Sequence, residues 1–172
     1  MATLTQELLD FVGMESPAIE APEPVEAGAV RRYAQAIMDE DPIFAPGSDT
    51  APFGAPVAPP LFPTHMFRRP FGTPDPLTEH AGDPDFDAAV GSSIRGLPEL
   101  PIRGKTRLNG GSEVEFFRYA RHGERVRMKS RYADMTQRES GKGPMVLVVV
   151  ETDYLAPSDE LLMRVRSTAI YR

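Results

Sequence analysis

Thirteen of the eighteen prolines fall between residues 42 and 101, and a stretch so dense in proline builds neither a central strand nor a long helix. Proline fixes φ, lacks an amide donor and keeps the residue before it out of the helical region. Regular structure must therefore come from the segments on either side. An excursion of this length inside a compact domain indicates a functional loop or a partly mobile segment. Within it, the part near Val57–Met66 is expected to pack and the part near Thr73–Ile94 to be looser.

Before the proline-rich stretch, Leu4, Leu8, Leu9 and Val12 recur near helical spacing and predict a short N-terminal helix. Pro17, Pro22 and Pro24 then enforce extended backbone, with room for a brief strand around Ala18–Glu20. From Glu26 to Met38 the pattern is helical, with Val30, Tyr33, Ala34 and Ile37 on one apolar face, and Pro42 stops it.

After residue 101 the period changes to two. Val114 and Phe116 alternate with Glu113 and Glu115, and Val126, Met128, Ser130 and Tyr132 alternate with Arg125, Arg127, Lys129 and Arg131. Met145–Val150 is continuously apolar and β-branched, as in a central strand covered on both faces. Met163, Val165, Ser167 and Ala169 close the series, alternating with Arg164, Arg166 and Thr168. Turn residues separate the runs at Asn109-Gly110-Gly111, His122-Gly123-Glu124, Ser140–Pro144 and Ala156–Asp159, and short breaks favour antiparallel hairpins.

A sheet with one apolar face must cover it, and the Glu26–Met38 helix is the available cover. The expected fold is α+β: an antiparallel sheet wrapped around a central helix, the hot-dog arrangement, with a cystatin-like or lipocalin-like sheet as the competing reading. At 172 residues, 1–172 is expected to form one domain carrying the excursion at about 42–101.

Composition narrows the chemistry. Without cysteine there is no disulfide, no thiolate metal site and no cysteine nucleophile, and a reducing cytoplasmic setting is the natural expectation. His65, His80 and His122 are too scattered in sequence for a dedicated zinc site, so no metal is expected. No apolar run approaches the roughly 20 residues of a membrane span, and Met1–Met14 lacks the basic start of a signal peptide. The net charge of −6 divides into −11 over residues 1–101 and +5 over 102–172. The basic half alternates along strands, which suits a solvated outer face better than nucleic-acid binding.

Several segments together resemble the MaoC-type dehydratase N-terminal family, a FAS1-like dehydratase and (R)-specific enoyl-CoA hydratase superfamily. Val30–Ile43 is similar to the family's "(Y/F)A…(G)DxNP(I/L)" stretch, and Val57–Pro63 to its "APPxF" segment. His122–Val126 looks like its "xGD" lead into a strand, and Met163–Tyr171 like its closing strand. The resemblance covers about Val25 to Arg172, apart from the proline-rich part near Arg68–Pro98.

The resemblance implies chemistry on acyl thioesters of coenzyme A or acyl carrier protein, with no cofactor. Active members hydrate a trans-2-enoyl group or dehydrate the (R)-3-hydroxyacyl group. A carboxylate and an imidazole must share one water, so that its proton leaves while hydroxyl adds at C3. The matching carboxylate position is Asp39, but the histidine position is Phe44, which transfers no proton. The chain is therefore expected to be a non-catalytic, accessory subunit of a heteromeric hydro-lyase, its partner a second hot-dog subunit carrying the Asp–His pair. Two other classes stay open: a thioesterase using Asp39 or Glu40, and a non-enzymatic homodimer that binds acyl thioesters.

Pro59, Pro60, Phe62, His65 and Met66 are the candidate substrate-binding residues, and His65 the candidate substitute for the missing imidazole. Each has a plainer reading. Asp39 sits in a helix-end acidic cluster with Glu40 and Asp41, a lone loop histidine is usually structural, and Phe44, Phe53, Leu61, Phe62, Met66 and Phe67 serve equally as core.

Overall fold

The computed structural model describes residues 3–39, 41–45, 53–68, 72–84, 86, 95–102 and 105–172. The periodicities become elements nearly where they were read. A short helix α1 (Gln6–Leu9) is capped by the Thr5 hydroxyl, which accepts the Leu8 N–H. Strand β1 spans Ile19–Glu20 and helix α2 spans Ala27–Ala36. Four long strands follow: β2 (Arg107–Phe116), β3 (Arg127–Ser140), β4 (Gly143–Leu155) and β5 (Leu161–Tyr171). They form one antiparallel sheet of order β1-β3-β4-β5-β2.

The β3–β4 hairpin turns at Gly141-Lys142, where the Ser140 hydroxyl donates to the Gly143 carbonyl at 2.7 Å. The β4–β5 connection closes through Ala156 N–H to the Glu160 carbonyl at 2.8 Å. Both breaks are the hairpins that their turn residues predict. The other two are not. Asn109-Gly110-Gly111 lies inside β2 as a bulge against β5, between the pairs Asn109↔Ala169 and Ser112↔Ser167. Glycine is required there because β5 runs close by: a Cβ on Gly110 would stand 2.8 Å from Thr168 Cγ2. The turn at His122-Gly123-Glu124 joins β2 to β3, yet those strands are not neighbours, because β2 pairs with β5 at the far edge.

The inner face follows the alternation. Met128, Ser130 and Tyr132 of β3 are buried, and a bulge between Tyr132 and Asp134 shifts the inward set to Met135. On β4 the inward Val146, Val148, Val150, Thr152 and Tyr154 are buried, while the outward Met145, Leu147 and Val149 are half-buried. The central strand is thus fully covered on one face only.

Helix α2 covers only part of that face. Ten residues give about 15 Å of helix, against about 44 Å for the thirteen residues of β4. Val30 and Ala34 pack with Met128, Tyr154, Leu162 and Met163, whereas Ile37, expected on the apolar face, is exposed because the helix ends there. The remaining face meets Leu8, Leu97 and the partly buried Phe11, Leu100 and Ile102. The Val57–Met66 part of the excursion is packed as expected, with Val57, Ala58, Phe62, Pro63 and Met66 buried. Of the part expected to be looser, residues 72–84 are exposed wherever their burial is described, and 85 and 87–94 lie outside the described residues.

Candidate functional site

The candidate site begins where α2 ends. Met38 adopts φ 57°, and the Asp39 N–H reaches back to the Ala34 carbonyl at 2.9 Å, closing the helix in a left-handed cap. Met38 stands where the resemblance has its glycine, so this chain carries the same backbone turn on a residue that has a Cβ to strain it. The half-buried Asp39 then accepts the Asp41 N–H at 3.1 Å, and Asp41 accepts the Ile43 N–H at 3.0 Å, capping a 3-10 turn over Pro42–Phe44. The acidic cluster is thus a pair of short side-chain caps. Its third member, Glu40, lies outside the described residues.

Phe44 points inward. It is 6% exposed, and its ring stands edge-on to Tyr119 with centroids 6.0 Å apart. Phe53 and Phe116 approach the same tyrosine at 5.1 and 5.0 Å. Phe44 therefore belongs to an apolar, aromatic cluster.

A second 3-10 turn, Phe62–His65, lays its side chains against α2. Tyr33 meets Phe62 edge-on at 5.5 Å and the His65 ring at 4.8 Å. His65 is nevertheless exposed, and Arg68 Nη2 lies 3.3 Å from its Nδ1. Burial, then the Arg68 charge, lower the His65 pKa, and burial raises that of Tyr33. Among the described residues, no histidine hydrogen-bonds to the Asp39 carboxylate.

Phe62 and Met66 sit in the same buried cluster as Phe44, and Pro59 is fully buried beneath them. Pro60 is half-buried. The Ala58 N–H bonds the Ala120 carbonyl at 2.9 Å, which ties the Pro-Pro segment to the turn before β3. That turn is pinned in its own way: Arg118 makes a forked pair with Glu124 at 2.9 and 3.1 Å and reaches Glu160 at 2.7 Å. His122, placed by sequence in a turn, has its Nε2 buried without a partner, and burial lowers its pKa against an opposing backbone hydrogen bond at Val57.

None of these residues lines the large open cavity on the other half of the inner face, bounded by Arg95, Leu97, Tyr132, Val148, Val150 and Ser167. Sequence reasoning missed that cavity and Arg95. The one available signal was the pair of small residues, Ser167 and Ala169, at inward positions of β5.

A five-stranded antiparallel sheet with one helix packed on its inner face through Val30 and Ala34, and a proline-rich strap beside the helix exit, defines a hot-dog domain. The family described as the FAS1-like, dehydratase domain region matches residues 10–165, and the chain belongs to it. The fold is shared with the ChsH1-ChsH2 complex from Mycobacterium tuberculosis: TM-score 0.68, 15% identity, covering 96% of this chain and 88% of that one. It is also similar to the HadBC (3R-hydroxyacyl-ACP dehydratase) complex from the same organism, at TM-score 0.60, 18% identity and coverage of 94% and 97%. The (R)-hydratase from A. caviae involved in PHA biosynthesis superposes with TM-score 0.56 at 12% identity, covering 92% and 94%. No curated protein matches the chain in sequence. Among the described residues, no helix is long and apolar enough to cross a membrane.

Proposed function

We propose that this chain is the non-catalytic subunit of a heteromeric (R)-specific enoyl-thioester hydratase or 3-hydroxyacyl-thioester dehydratase, acting on acyl groups carried by coenzyme A or acyl carrier protein. One observation carries the reading. Where the reaction needs an imidazole beside a carboxylate, Phe44 is locked against Tyr119, and Asp39 is engaged by its own backbone. A buried phenyl ring offers no route for the proton that must leave water as its hydroxyl adds to C3. The Asp–His pair then comes from a second hot-dog polypeptide, and this chain supports it and shapes the acyl site through Pro59, Pro60, Phe62, His65 and Met66.

The edge of the sheet supports a partner. β2 is outermost, every one of its ten residues is exposed, and Val114, Phe116 and the following Phe117 are 43%, 41% and 54% exposed. A long edge strand with apolar side chains is a template for pairing with another chain.

Two measurements test the reading. Purified alone, the chain is expected not to hydrate crotonyl-CoA, and purification from its native host is expected to bring down a second hot-dog chain. Val114→Glu should abolish that association while leaving the chain folded, since its side chain is 43% exposed at the sheet edge. High hydratase activity of the lone chain, abolished by Asp39→Asn, would sink the proposal; so would thiol release from acyl-CoA by the lone chain.

A further inference from the structure

Beyond the reach of α2 the inner face of the sheet is covered by Leu8, Leu97 and their neighbours, and beside that cover is an open cavity of about 1340 Å³. Its floor is apolar and buried where β3 and β4 supply Tyr132, Val148 and Val150, and β5 adds the small Ser167 and Ala169 together with Thr168 and Tyr171. Pockets for small ligands commonly span roughly 300–1,000 Å³, so the space suits a bulky body better than a slim chain.

One wall is the segment from Arg95 to Ile102, and three contacts fix it to the sheet. Gly96 adopts φ +67° so close to β1 that a Cβ would stand 2.9 Å from Ile19 Cδ1. Leu97 is buried, and the Pro98 carbonyl accepts the Tyr132 hydroxyl at 2.7 Å. Arg95 is therefore held in place, its guanidinium at the cavity. It has no hydrogen-bond or ion-pair partner among the described residues. Across the outer face of the sheet, by contrast, Arg127, Lys129, Arg131, Arg164 and Arg166 all pair with carboxylates. Lys105 and Arg107 also line the cavity, as do Asp83 and Glu99, so the charge balance at the rim is close to even. Arg95 is half-buried, as is Lys105, while Arg107 is exposed; what sets Arg95 apart is the anchored wall that carries it, and burial lowers its pKa.

We infer that this cavity binds a ligand with a large apolar body bearing one carboxylate, which the Arg95 guanidinium receives as a forked pair. A single guanidinium held by an anchored wall answers the single charge of a carboxylate. This inference goes beyond the accessory-subunit reading and does not depend on it, because binding is measured on this chain alone.

The test compares 1-pyrenebutanoate with 1-pyrenebutanol, two probes of one apolar body that differ in the carboxylate, by fluorescence titration of the full chain at pH 7.5. The acid is expected to bind about tenfold or more tightly than the alcohol, the scale of one charge-assisted hydrogen-bonded pair. Arg95→Met should reduce the acid to the affinity of the alcohol and leave the alcohol unchanged. Lys105→Met and Arg107→Met should each change the acid less than about threefold, since Arg107 is exposed and neither sits on the anchored Gly96–Pro98 wall. Ser167→Leu, which fills the floor, should weaken both probes. Should Arg95→Met fail to fold, wild type and Ser167→Leu still decide. Equal affinity for the two probes, no binding of either, or binding of the acid untouched by Ser167→Leu overturns the inference.

Discussion

Phe44 stands edge-on to Tyr119 with ring centroids 6.0 Å apart, and that contact makes it a piece of core. The 3-10 turn that carries Phe44 is set by Pro42 and by the Asp41 cap, so the ring has little freedom to turn outward. Phe44→Ala is expected to destabilise the chain by about 3–5 kcal/mol, the range for emptying a buried aromatic site. Phe44→His should also destabilise it and leave the lone chain inactive toward crotonyl-CoA, because the imidazole would enter an apolar cluster while Asp39 stays bonded to Asp41. Urea unfolding and a hydration assay check both halves; a gain of hydratase activity in Phe44→His would contradict them.

Glu151 is an outward residue of β4 that is nonetheless buried, because three arginines roof it. Arg131 Nη2 lies 2.8 Å from its carboxylate, Arg164 3.6 Å and Arg166 3.7 Å. Glu151→Ala leaves three guanidinium groups crowded on neighbouring strands, with Asp153 still bound to Arg164. The expected loss is about 1–3 kcal/mol in urea unfolding, and it should shrink in high salt as the half-exposed cations are screened. Arg166→Ala should cost less than about 1 kcal/mol, since its charge is exposed and Arg131 remains on Glu151.

His122 supplies a pH test. Burial holds its folded-state pKa below the ordinary 6.5, so the unfolded chain binds a proton that the folded one refuses. Stability should therefore fall as the pH drops through 6.5 toward the lower folded-state value, and should not change through this group above pH 7 or so. His122→Gln should flatten part of that decline. Thermal unfolding of the two proteins between pH 5 and 8 gives the answer, and parallel curves would show that His122 is not its source.

Much of this was legible in sequence because the signals are local. The alternation of Val126, Met128, Ser130 and Tyr132 is a property of a few consecutive residues, and the inward set follows from it directly. The Ser140–Pro144 break reads as a hairpin because β3 and β4 pair as soon as the chain reverses. The same reasoning failed at Asn109-Gly110-Gly111. A turn and a bulge both ask for glycine, and only the neighbouring strand distinguishes them.

By itself the sequence determined the elements and the inward faces, since each depends on residue identity and short-range spacing. Tertiary structure alone decided that β2 lies beside β5, that α2 stops short of the distal sheet, and that Arg95 ends unpaired at the rim of the cavity. Those outcomes rest on contacts between residues 50 or more positions apart, such as Ser112 with Ser167 and Leu97 with the cluster of Val148 and Val150. No local pattern encodes which distant surfaces meet; burial of apolar area and satisfaction of edge hydrogen bonds across the whole sheet select them.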